Sequence, residues 1–208
     1  MSKMIDHIVA EFFELTNVIV KTNLKKNHLS LKSYICDSER CHKIRFCKFE
    51  VESKFYAESL VIYPDFHYET PIFGTEYLKI GSKRYFGAID FHPITDNKKY
   101  LKFLDIFPDK KEIRTNVYDL NKFFSEKLWV RRETEDFYDE YQIMLKCFLH
   151  QYKKCLYSEE KNIITFEQQQ NEYNSYMKTN DPAYGILKSY FNKDFADEYI
   201  NNFLFSNK

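Results

Sequence analysis

The stretch Ser59 to Pro93, SLVIYPDFHYETPIFGTEYLKIGSKRYFGAIDFHP, decides the fold. Ser59-Leu60-Val61-Ile62-Tyr63 is a compact run of β-formers closed by Pro64. Glu76-Tyr77-Leu78-Lys79-Ile80 ends at Gly81, and a third run from Arg84 to Phe91 is closed by Pro93. Short β-rich runs bounded by Gly and Pro read as strands joined by tight turns. Upstream, Lys43-Ile44-Arg45-Phe46 and Phe49-Glu50-Val51 alternate in the same manner, so an antiparallel meander is expected from about residue 43 to 91.

Helical periodicity flanks this block. Ile5, Ile8, Val9, Phe12, Phe13 and Leu15 predict an N-terminal helix. After roughly residue 117 the pattern is helical again. Phe137, Tyr141, Met144, Leu145, Phe148, Leu149, Tyr152 and Leu156 form one stripe. A weaker helix covers about Thr165 to Met177. Asp181-Pro182 opens another, with Asp as N-cap and Pro at the first helical position, and Ile186 to Phe203 continue it. Strands followed by helices, with no linker or repeat, predict one domain over residues 1–208. Its class is α/β of the α+β type, a three-layer α/β/α sandwich with a central antiparallel sheet.

Composition narrows the function. Lys+Arg and Asp+Glu are both 31, so the zero net charge argues against a general nucleic-acid binder. The 44% hydrophobic content is enough for a packed core. The four glycines, Gly74, Gly81, Gly87 and Gly185, are too dispersed for a Rossmann or P-loop phosphate cradle. No apolar run approaches the roughly 18 residues of a membrane span. The acidic residues within MSKMIDHIVAEFFEL mark a helix and not a signal peptide. Five cysteines, an odd number, point to a reduced cytoplasmic compartment.

Cys36, Cys41, His42 and Cys47 lack the paired short spacing of structural zinc sites and read as free thiols. The histidines are scattered, and Asp109-Lys110-Lys111-Glu112 reads as a solvated turn. The aromatic share, 18%, is high for packing alone and would suit a large flat conjugated ligand between sheet and helices.

Three stretches together resemble the ferredoxin-dependent bilin reductases. Pro71-Ile72-Phe73-Gly74-Thr75-Glu76, followed by Ala88-Ile89-Asp90-Phe91-His92-Pro93, is similar to the family's P-x-F-G-x-D strand and the strand after it. Phe124-Ser125 through Val130-Arg131 resembles its F-S-x-x-x-x-V-R segment. Asp181-Pro182-Ala183-Tyr184-Gly185 and the ending Asn202-Phe203-Leu204-Phe205 look like the phage phycoerythrobilin synthase branch. The resemblance spans roughly residues 40 to 208.

It implies an antiparallel sheet between helices and reduction of biliverdin in one-electron steps. The donor would be an external [2Fe–2S] ferredoxin, with no flavin, metal or nicotinamide bound and the protein acting as a monomer. Protons must accompany the electrons, and buried carboxylic acids with raised pKa values can hold them. The family's central acid is Asp; here it is Glu76, as in the distantly related red chlorophyll catabolite reductase. Asp181 matches a second acid. Ser59 stands where the family has His or Asn. An upstream glutamate of the phycocyanobilin-forming branch falls near Cys47, which disfavours that product. Arg131, or its neighbour Arg132, matches an arginine that grips a propionate, and Asp90 ends its strand as the family's does.

The expected product is phycoerythrobilin or 15,16-dihydrobiliverdin. A reductase of a related chlorophyll catabolite and a non-catalytic bilin carrier are the alternatives.

Overall fold

The computed structural model describes residues 5–107 and 123–206. Its centre is a seven-stranded antiparallel sheet in which every strand pairs with its sequence neighbour. The strands are β1 (Thr16–Lys26), β2 (Leu29–Ser38), β3 (Cys41–Val51), β4 (Phe55–Pro64), β5 (Ile72–Ile80), β6 (Arg84–His92) and β7 (Trp129–Glu133). One face is covered by α1 (Ile5–Val9) and α2 (Tyr138–Ser158). The other is covered by α3 (Glu167–Asn180), α4 (Ala183–Tyr190), α5 (Lys193–Tyr199) and a π-helical turn, Ile200–Leu204. This is the expected three-layer sandwich.

Period-2 alternation sorts side chains between the two layers. Phe46, Leu60, Ile62, Phe73, Tyr77, Ile89 and Phe91 pack toward α2, whose buried stripe is Tyr141, Leu145, Phe148, Leu149, Tyr152 and Leu156. Tyr152 lies 5.2 Å from both the Phe73 and Phe91 rings, centroid to centroid. Gly87 lets α2 approach, because a Cβ there would sit 3.1 Å from Phe137 and Tyr141. Leu31, Phe49, Val61, Tyr63 and Ile72 face the opposite way, toward Tyr173, Met177, Leu187, Tyr199 and Phe203.

Several expectations need correction. The sheet begins at Thr16 and not near residue 43. Nearly every residue of β1 is exposed, so the strand carries no amphipathic alternation to reveal it. The N-terminal helix closes after Val9, with Phe12 and Phe13 still hydrogen-bonded back to Val9. Trp129–Glu133, within the part expected to be helical, is the edge strand β7 and pairs with β6. The last helix is broken at Asn192, whose side chain accepts from the Phe195 N–H at 2.8 Å and caps a new helix. The cysteines are free, as read. The turn at Asp109 to Glu112 lies outside the described residues.

Leu145 is fully buried in the core on the α2 side. Leu145→Ala is expected to cost about 2–5 kcal/mol, read as a lower urea midpoint at unchanged slope.

Candidate active site

The sheet register builds the site. Cys47 pairs with Ser59, Ser59 with Glu76, Glu76 with Ala88, and Ala88 with Val130. These residues form one row across the face that looks at α3 and α4. The adjacent row runs Arg45, Val61, Gly74 and Asp90. Ser59, Gly74 and Ala88 give the sheet a low floor around Glu76. The opposite wall is made by Tyr173 and Met177 of α3, Asp181, Ala183, Leu204 and Phe205. Phe124 and Leu128 also line the pocket. The cavity they line is half open to solvent and measures about 110 Å³.

Two acids therefore face one cavity from different layers. Glu76 rises from the middle of β5, and its carboxyl has no hydrogen-bond partner among the described residues. Asp181 is extended at the α3–α4 junction, and its Oδ1 accepts the Ala183 N–H at 2.7 Å. This is the cap geometry that Asp-Pro predicts, with one carboxylate oxygen left over. Burial, and then the charge of Asp181, push the Glu76 carboxyl up to about 8, while Arg45 partly opposes the shift. Burial also raises Asp181, against the Ala183 N–H and Arg45. The two acids titrate as a pair and hold a proton between them near neutrality.

The other expected residues separate. Ser59 is brought directly opposite Glu76. Asp90 is buried and lines the pocket, but its carboxylate is occupied by Ser125, whose N–H donates to it at 2.8 Å and whose hydroxyl donates as well. It joins β6 to the Phe124-Ser125 segment. Arg131 is not brought to the pocket. It pairs across β6 with Gly87, on the α2 face, where its guanidinium donates to Glu133 at 2.8 Å and to Glu140 and covers the Phe137 ring. Arg132 is on the pocket face, 5.6 Å above Phe86, which lines the cavity. Alternation makes a one-residue offset a change of face.

Two pocket residues were not singled out in the sequence. His92 is buried, and its Nδ1–H donates to the Phe123 carbonyl at 2.9 Å, leaving Nε2 over Gly74. A Cβ at residue 74 would lie 2.3 Å from that Nε2, which is why this strand needs glycine there. Burial lowers the His92 pKa to about 4, so the ring is neutral at physiological pH. Arg45, 3% exposed, reaches the pocket from β3. Period-2 counting from the Cys47 position would have placed it on this face.

No three His, Cys, Asp or Glu side chains converge on a metal-sized point among the described residues. A larger open groove of about 850 Å³ lies where the ends of β3–β5 meet the start of α2, lined by Lys54, Lys79, Asp136 and Glu140 among others. The Glu76–Asp181 pair is not in it.

Comparison with known proteins supplies the family. The family model for ferredoxin-dependent bilin reductase matches residues 3–206. A Prochlorococcus marinus (strain MIT 9515) protein named 15,16-dihydrobiliverdin:ferredoxin oxidoreductase is 26% identical, covering 99% of this chain and 94% of its own length. A protein of the same name from Prochlorococcus marinus (strain MIT 9211) is 29% identical over 87% of this chain and 83% of its own. The crystal structure of phytochromobilin synthase from tomato in complex with biliverdin superposes with a TM-score of 0.77 at 15% identity, covering 98% of this chain and 82% of that one, which supports the fold. The match also reaches well upstream of residue 40, through α1 and the first two strands. A family match over nearly the whole chain places this protein in the ferredoxin-dependent bilin reductase family.

Proposed function

We propose that the chain reduces biliverdin IXα to a phytobilin, with 15,16-dihydrobiliverdin as the first product and phycoerythrobilin as the product of a second reduction. The observation that carries this reading is the pair Glu76 and Asp181, two half-buried acids on opposite walls of one cleft, titrating together. Each two-electron reduction consumes two electrons and two protons and oxidises two molecules of reduced [2Fe–2S] ferredoxin. Electrons come singly from outside, so the protein's task is to hold the tetrapyrrole and to supply protons at chosen atoms. Glu76 takes the part of the family's central Asp, and Asp181 serves a second ring from the helical wall. Ser59 positions the substrate or a water beside Glu76. Asp90 orders the Phe124-Ser125 wall.

The names of the relatives support 15,16-dihydrobiliverdin as product. The resemblance of the C-terminal stretch to the phage branch supports the second step. Arg132, exposed beside Phe86, is better placed than Arg131 for a propionate that keeps one side in water. The 110 Å³ cavity is below the roughly 300 Å³ at which small-molecule sites begin, and it is half open, so a tetrapyrrole extends beyond it toward solvent.

Anaerobic turnover with reduced ferredoxin and biliverdin, followed by absorbance, tests the reading. Glu76→Gln is nearly isosteric and should still bind, yet lose about 10²–10⁴ in rate or stall at a bilin radical. Asp181→Asn keeps the cap and should let the two-electron product accumulate. Wild-type turnover by Glu76→Gln removes Glu76 as donor. Absence of any reduction by the wild-type protein favours a bilin carrier, and turnover of a chlorophyll catabolite alone favours the related reductase. Arg132→Ala should raise KM, whereas Arg131→Ala should leave it unchanged.

The raised Glu76 pKa also has a stability signature. The group is ordinary in the unfolded chain, at about 4.5, and titrates near 8 when folded. Its stabilising effect is complete below about 4.5 and is lost as pH rises through 8. Glu76→Gln has no proton to lose. Its Tm should therefore gain on wild type by a few degrees between pH 5 and pH 9, measured by circular dichroism.

A further inference from the structure

Arg45 is a buried cation without a carboxylate partner among the described residues. Its Nη1 donates to the Leu204 carbonyl at 2.5 Å, and its guanidinium lies 5.2 Å from the Phe205 ring and 5.9 Å from Phe203. Its Nε–H is buried and has no acceptor among the described residues. Glu76 and Asp181 feel its charge across the pocket but make no ion pair with it. A buried donor left unsatisfied is costly, and a buried arginine more so, unless something else completes its hydrogen bonding. The side chain lines the same cavity as the two acids.

The chemistry of that cavity selects the acceptor. A propionate would bring a further carboxylate beside two acids, away from water. A terminal lactam carbonyl of a linear tetrapyrrole is neutral, planar and a good acceptor for a guanidinium N–H. It is also conjugated with the rest of the chromophore. When reduced ferredoxin gives up one electron and the bilin accepts it, part of the new negative charge falls on that oxygen. A fixed cation there stabilises the charged form more than the neutral one.

We propose that Arg45 is a substrate-binding residue whose Nε–H donates to a terminal lactam carbonyl of the bound tetrapyrrole. This rests on the bilin reductase reading. The contact is distinct from the propionate grip at the rim, because Arg45 is 3% exposed and Arg132 is exposed.

The test titrates biliverdin into wild type, Arg45→Lys and Arg45→Gln and records the lactam C=O stretching band of the bound pigment by resonance Raman or infrared spectroscopy. Arg45→Lys keeps the buried charge and guards against a folding failure in Arg45→Gln. The expected result is a lower C=O frequency in wild type than in either variant, with binding about 10- to 100-fold weaker in both. A purely structural Arg45 would leave the band of whatever pigment is bound unmoved. Equal bands and affinities within twofold overturn the assignment while leaving the bilin reductase reading intact. If wild type does not bind biliverdin, that reading falls and takes the assignment with it.

Discussion

The site depends on the cross-strand register that places Cys47, Ser59, Glu76 and Ala88 in one row. In a sheet covered on both faces, a slip of one residue exchanges every side chain between layers. Glu76 would then face α2, and Tyr77 and Thr75 would face the cavity. The register is held from behind. The Thr75 hydroxyl donates to the Ala88 carbonyl at 2.9 Å and lies 2.6 Å from the hydroxyl of Tyr141. Tyr152 donates to the Pro71 carbonyl at 3.0 Å. The aromatic layer on α2 thus fixes β5 from the face opposite its acid.

The front of the strand is fixed by different means. Gly74 allows His92 to lie against β5, and His92 is itself held by Phe123. Asp90 holds Ser125. The P-x-F-G and F-S motifs, distant in sequence, therefore touch through β6. Two of the stretches that carry the resemblance are thus in contact. The motif glycine is required by steric approach and not by a positive φ.

Electrostatics completes the design. Two acids in one pocket would repel strongly if both were ionised, so one keeps its proton. Arg45 limits the shift without pairing with either. It and Lys43, both buried on β3, donate to carbonyls of the C-terminal segment, at Leu204 and Ser206. The last residues are held over the sheet by two buried basic side chains, and the pocket wall they form depends on them.

Much of this was legible in the sequence. The runs ending at Pro64, Gly81 and Pro93 marked β4 to β6, the Tyr141–Leu156 stripe marked α2, and Asp181-Pro182 marked a helix start. Glu76, Ser59 and Asp181, which line one pocket, could be singled out because motifs and turn chemistry are local. β1 was hidden because its exposed residues follow no period. The choice between Arg131 and Arg132 was hidden because both suit a carboxylate, and only pairing with β6 assigns each to a face. Arg45 was hidden for a deeper reason. In Lys43-Ile44-Arg45-Phe46 the alternation gives two faces but not what covers them, and charged residues on a strand ordinarily face water. Their burial is decided by α5 and the C-terminal turn, more than 140 residues away, which close over that face. Sequence determined which side chains share a face. Only the tertiary structure decided which face is dry, and dryness is what raises the acids and leaves Arg45 with a donor unused.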